Sequence, residues 1–244
     1  MTGKWGCIKP SGMDSAKFAG PRRELKSRNT AWARLLARAA GRSGLSPNAI
    51  SVLSMLFAAG ALIFYLLAPE MQTASAAALI WLAAAACIQL RLLCNLLDGM
   101  VAVEGGKGSA TGAIYNEAPD RVADVLILVG AGYSTNVEPG VIKLFGELPL
   151  GWACAVLAMG TAYIRLLQGA LTGQQSFMGP MAKQHRMAVL TLGTLIACVE
   201  QWFRVEIAGA DVHCIKLALI VIFFGAVVTC LRRLSLTARL LQER

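Results

Sequence analysis

Charge is what this chain has least of. Asp, Glu, Lys and Arg make up 15% of its 244 residues, against about 25% in ordinary globular chains, which excludes a soluble single domain. The seven cysteines (Cys7, Cys87, Cys94, Cys154, Cys198, Cys214 and Cys230) contain no CxxC spacing. Most lie in apolar stretches, where Cys behaves as a small hydrophobe, so neither a disulfide framework nor a zinc site is expected. The start, Met1-Thr-Gly-Lys-Trp-Gly, has no apolar core followed by a small-residue cleavage site, so no signal peptide is expected. The glycine-rich stretch Glu104–Thr111 carries Lys107 but lacks the GxxxxGK[ST] order and a preceding strand, which excludes a P-loop. No internal repeat stands out.

What the chain has instead is apolar length. It is 56% hydrophobic, with runs long enough to cross a bilayer (roughly 17–25 residues) at Ala49–Leu67, Ala74–Leu97, Gly112–Tyr133, Leu150–Leu167, Met187–Phe203 and Lys216–Leu231. These predict an all-α integral membrane protein of six transmembrane helices. The net charge of +9 is spread as topology requires rather than as nucleic acid would. All but Lys143, Arg204 and Lys216 of the 23 basic residues fall on one side, opposite Glu70, Glu138, Glu147, Glu200, Glu206 and Asp211. Positive loops stay inside, so both termini are expected in the cytoplasm, with some attraction to anionic membrane lipids.

The expected organisation is a basic cytoplasmic lead-in over 1–28, a juxtamembrane helix and its junction over 29–48, a membrane domain over 49–234 and a tail over 235–244. Trp32, Leu35, Leu36 and Ala39 repeat at three- and four-residue spacing, with Arg34, Arg38 and Arg42 on another side. This N-terminal amphipathic pattern suits a helix on the membrane surface or one packed on the bundle. Ser43-Gly44 breaks it, and Ser46-Pro47-Asn48 opens the first span with an N-cap and a first-turn proline.

The polar residues concentrate in one stretch: Asn95-x-x-Asp98-Gly99-x-x-Ala102-Val103, eight residues, then Gly112-x-x-x-Asn116-x-x-x-Asp120-x-x-x-Asp124. Ionisable groups in membrane-length apolar segments are costly and mark function. At about 100° per residue, Arg91, Asn95, Asp98 and Ala102 share an arc of roughly 60° on the second span, and Asn116, Glu117, Asp120 and Asp124 one of roughly 100° on the third. The loop between them is short, so the two arcs are expected to face one cavity near the cytoplasmic surface. Gly99, Ala102, Gly112 and Ala113 permit close approach. Clustered carboxylates repel unless protonated or neutralised, and oxygen donors without His or Cys point to Mg²⁺ or Mn²⁺. Such an ion suits a diphosphate substrate. A second basic cluster, Arg165, Lys183, His185 and Arg186, is explained by topology or by an anionic acceptor.

At these residues the chain resembles the CDP-alcohol phosphotransferase family, whose motif reads D-x-x-D-G-x-x-A-R, about eight residues, then G-x-x-x-D-x-x-x-D. Asp98-Gly99, Ala102, the spacer, Gly112 and Asp120 carry the match. Asn95 and Asn116 stand where the motif has Asp, and Val103 where it has Arg. The resemblance implies a six-helix, typically dimeric enzyme that moves a phosphatidyl group from a CDP-linked lipid to an alcohol and releases CMP. It implies one or two divalent ions on Asp98 and Asp120, with Asn95, Asn116 and Glu117 contributing, and Asp120 or Asp124 as base. Gly99, Ala102, Gly112, Arg91 and Lys107 are expected to line the nucleotide, and Arg165, Lys183 and Arg186 an acceptor phosphate. CDP-diacylglycerol is the expected donor and a small alcohol the acceptor. The rivals are an inactive relative that binds a nucleotide lipid or a partner, and a small cation-coupled transporter.

Overall fold

A computed structural model describes residues 30–104, 111–135, 150–202, 206–207, 210–211 and 213–243. The lead-in 1–28, Lys107 with its glycine loop, and Glu138, Lys143, Glu147 and Arg204 of the charge argument lie outside the described residues, as does the side chain of Val103. The described chain is helical: α1 (Ala31–Arg42), α2 (Pro47–Leu67), α3 (Ala74–Glu104), α4 (Gly112–Tyr133), α5 (Leu150–Thr172), α6 (Lys183–Glu200) and α7 (Cys214–Gln242). A 3₁₀ turn, Ala68–Glu70, follows α2. Before α7 a two-residue antiparallel pair joins β1 (Glu206–Ile207) to β2 (Ala210–Asp211).

Four helices are long and apolar enough to cross a membrane among the described residues: Pro47–Glu70, Ala74–Ala102, Leu150–Thr172 and Cys214–Gln242. α4 and α6 fall short of that measure. The charges of Glu117, Asp120, Arg121 and Asp124 dilute α4, and Lys183, Arg186 and Glu200 do the same to the shorter α6.

Local sequence sets the helix starts. Ser46 Oγ accepts from the Ala49 N–H at 3.1 Å and Pro47 fills the first turn of α2, where its missing donor costs nothing. The ends differ from the apolar runs. α3 continues past Leu97 to Glu104, and α7 runs through residues 235–242, which the hydropathy pattern assigned to a tail. Hydropathy marks where lipid contact stops, whereas a helix continues while side chains such as Arg233 and Thr237 are still buried against neighbours.

α2 packs on both α3 and α4; α5 packs on α4 and α7; α6 packs on α3 and α7. The core is made of Ala58, Ala61, Tyr65, Trp81, Ile88, Ile127, Leu190 and Leu219 with their neighbours. Lipid tails are as apolar as Leu, so close fit and hydrogen bonds must hold such helices together. Both are present. A Cβ on Gly132 of α4 would lie 2.6 Å from the Cα of Gly151 in α5. Tyr65 Oη and Thr194 Oγ1 are 2.6 Å apart between α2 and α6, and Gln89 Nε2 donates to Thr191 Oγ1 at 2.8 Å between α3 and α6.

The juxtamembrane pattern forms α1. Its Ala33 and Ala37 are buried against Leu96 and Met100 of α3, while Trp32, Leu35 and Leu36 remain exposed. The helix therefore has a packed small-residue face and a separate, uncovered apolar face.

Candidate active site

α3 and α4 make few backbone contacts with each other, because α2 holds both. Polar side chains fill the space between them. Asn95 Nδ2 on α3 donates to Asp120 Oδ1 on α4. Arg91, one turn before Asn95 and fully buried, places Nη2 3.2 Å from the Asp120 carbonyl, 3.4 Å from Asp120 Oδ1 and 2.7 Å from Asp124 Oδ1. α6 closes the third side. Lys183 Nζ pairs with Asp120 Oδ2, and Arg186 Nη2 reaches Asp124 Oδ2 at 2.9 Å. Asp98, also on α3, accepts from Ser51 Oγ of α2 at 2.6 Å. It makes no salt bridge among the described residues.

The arcs read from helical periodicity do converge: Arg91, Asn95, Asp98, Asp120 and Asp124 meet, with Lys183 and Arg186 joining from α6. Their division of labour differs from the expectation. Arg91 and Arg186, expected to face substrate phosphates, close on Asp124, and the side chains of all three are at most 1% exposed. Arg186 also donates to Thr161 Oγ1 at 3.1 Å and to the Met181 carbonyl at 3.0 Å. Asp124 is thus the centre of a buried ion-pair group. Glu117, expected to replace a lost metal ligand, spends one oxygen on Arg165 at 2.5 Å and the other on Arg121 at 3.4 Å. Arg165, in turn, lies over the Phe177 ring. Asn116 is exposed, Gly99, Ala102 and Gly112 are half-buried, and His185 is exposed.

Sequence reasoning missed Ser51, Arg121, Thr161 and Pro119. A hydroxyl within an apolar span is the signal that could have found Ser51 and Thr161. Pro119, buried just before Asp120, cannot donate to the Tyr115 carbonyl and so interrupts the α4 ladder beside the site. Arg233 of α7 anchors the far wall, donating to the carbonyls of Met178 at 2.8 Å and Thr161 at 2.5 Å.

Whether the site suits a divalent ion can be read from its donors. Asp98 is a buried carboxylate with no basic partner at salt-bridge distance among the described residues, within electrostatic reach of Asp120 and on the same helical arc as Asn95. A buried charge needs a counter-charge, and an all-oxygen set suits one hard cation. Among the described residues no group of three or more Asp, Glu, His or Cys side chains is placed to hold a metal ion by itself, and Asp120 already carries Lys183 and Arg91.

The chain shares its fold with a CDP-alcohol phosphotransferase of known structure, and it is an integral membrane protein. Two crystal structures of Mycobacterium tuberculosis phosphatidylinositol phosphate synthase (PgsA1) superpose on it. The manganese and citrate complex matches with a TM-score of 0.62 and 22% identity, covering 84% of this chain and 88% of that one. The form with CDP-DAG bound matches with a TM-score of 0.64 and 21% identity, covering 85% and 94%. In sequence the chain is 29% identical to the inner membrane protein YnbA of Escherichia coli (strain K12) over 118 residues, 47% of this chain and 53% of that protein. The chain therefore matches about half the length of that curated relative. No family model matches the chain.

Proposed function

We propose that the protein is a membrane transferase of phospholipid synthesis, moving a phosphatidyl-type group from a CDP-linked lipid to a small hydroxyl acceptor with release of CMP. The observation that carries this reading is the Asn95–Asp120 contact between α3 and α4 with Asp98 in electrostatic reach of Asp120, at the motif positions, on a fold shared with a synthase solved with CDP-DAG bound. We take CDP-diacylglycerol as the donor. α4 and α6 complete a six-span bundle, with both termini and the site on the cytoplasmic side of an inner membrane. The exposed face of α1 lies on the lipid surface, and the protein works as a dimer.

Asp120 is the general base in this reading. Lys183 and Arg91 pair with its carboxylate, and its partly exposed side chain at the mouth of the cluster leaves it within reach of a hydroxyl. The acceptor oxygen attacks the phosphorus nearest the lipid and its proton passes to Asp120. The phosphoanhydride bond then breaks and CMP leaves with the bonding electron pair. Asp98 and Asp120, with the Asn95 amide oxygen, would hold one Mg²⁺ or Mn²⁺, which would supply charge dispersal on the diphosphate and the departing CMP. Asp124 is a positioning residue that sets Arg91 against Asp120. Arg165 and Lys183 lie on the side where an acceptor enters.

The test is CMP release from CDP-diacylglycerol by the purified chain, with Mg²⁺ or Mn²⁺, across a panel of alcohols. Acceptor-dependent release that EDTA stops and that Asp98→Asn or Asp120→Asn abolishes is the expected result. A folded protein that releases no CMP with any donor or acceptor rules the reading out and leaves nucleotide-lipid binding without turnover.

A further inference from the structure

We propose that Lys183 is a resident cation of the site: its ammonium, seated on Asp120, binds the substrate diphosphate where a second divalent ion would otherwise be needed. This rests on the CDP-lipid reading above and concerns how that site carries its charge.

Three observations converge on Lys183. The first is how Asp120 is partnered. Oδ2 holds Lys183 Nζ, while Oδ1 holds Asn95 Nδ2 and Arg91 Nη2. Both oxygens of that carboxylate thereby already have protein partners, which leaves it room to share one divalent ion with Asp98 and none to bridge two.

The second is availability. Arg91 and Arg186 are shut away on Asp124, and Arg165 is committed to Glu117. Lys183 has a side chain 24% exposed, so its ammonium can hold Asp120 and still present N–H donors to an incoming anion.

The third is placement. Lys183 is the first residue of α6, whose first turn contains no acid. A cation is disfavoured at the positive end of a helix dipole. Beyond its pair with Asp120, Lys183 and the N–H groups of that turn therefore reinforce each other as an anion-binding end.

Charge balance fits the same assignment. Asn95 and Asn116 remove two negative charges from the four-aspartate pattern, leaving Asp98 and Asp120. Across Asp98, Asp120, Asp124, Arg91, Arg186 and Lys183 the formal charges cancel, so one divalent ion matches the two negative charges of a bound diphosphate, whereas two ions would leave the occupied site positive.

The experiment uses the full chain in nanodiscs, counting bound Mn²⁺ by electron paramagnetic resonance with saturating CDP and measuring CDP affinity by calorimetry. We expect one Mn²⁺ per chain. Lys183→Met should weaken CDP binding roughly ten- to hundredfold, the loss of a charge-assisted contact, and Lys183→Arg should restore most of it. Two Mn²⁺ per unsubstituted chain, or unchanged CDP affinity in a folded Lys183→Met variant, overturns the proposal while the transferase reading stands. No CDP binding by the unsubstituted chain overturns both. The ion count needs no substitution, so it decides the matter even if Lys183→Met fails to fold.

Discussion

Arg186 and Asp124 form a buried ion pair, Nη2 to Oδ2 at 2.9 Å with both side chains 1% exposed, tying α6 to α4. The other oxygen of Asp124 takes Arg91 from α3. Removing one member of such a group leaves a buried charge unpaired, at a cost of about 3–5 kcal/mol. Asp124→Ala should therefore lower the melting temperature sharply and reduce the yield of folded protein. Asp120→Asn, nearer the cavity mouth and with Arg91 still paired to Asp124, should melt between that variant and the unsubstituted protein. Thermal unfolding followed by tryptophan fluorescence separates them, and equal melting of the two variants would remove the structural assignment of Asp124.

Ser51→Ala deletes the 2.6 Å hydrogen bond that orients Asp98. Loss of an outer partner to a metal-binding carboxylate costs about ten- to a hundredfold in metal affinity. Mn²⁺ titration should show that loss with the fold intact. Unchanged Mn²⁺ affinity would mean that Asp98 does not hold the ion.

Gly132 and Gly151 bring α4 and α5 together without side chains between them. A Cβ on Gly132 would meet the Gly151 backbone at 2.6 and 2.7 Å, and backbone cannot step aside as a side chain can. Gly132→Val should cost about 1–3 kcal/mol from overpacking, read as a shifted denaturation midpoint in detergent. A variant as stable as its parent would show that α4 and α5 do not approach this closely.

Tyr65→Phe tests a smaller effect. It removes the Tyr65 to Thr194 hydrogen bond, while Thr194 keeps its bond to the Leu190 carbonyl at 2.8 Å. Interhelical hydrogen bonds in membranes average about 0.6 kcal/mol. The expected outcome is a shift near the limit of measurement, and a loss above about 2 kcal/mol would point to a larger network around Tyr65.

How much of this was legible in sequence depends on the kind of signal. The joining of Arg91, Asn95, Asp98 and Asp120 follows from helical periodicity, because each set occupies one face and the loop between them is short. Periodicity reports where a side chain points along its own helix and nothing about which neighbour it meets. That is why Arg91 and Asp124 were readable as cavity residues and unreadable as partners, and why Glu117 looked like a spare metal ligand when Arg165 and Arg121 claim it. Arg186 and Lys183 come from a helix some sixty residues later in the chain, and only packing brings them to α4. Ser51 was hidden for another reason: a serine in an apolar span adds little to hydropathy, whatever its hydroxyl contacts.

α1 grips α3 through Ala33 and Ala37 at Leu96 and Met100, the residues that flank the turn carrying Asp98. Trp32, Leu35 and Leu36 face away from that grip. The helix is therefore a handle on the turn that carries Asp98: a push or twist applied to its outer face reaches that carboxylate across a single layer of side chains.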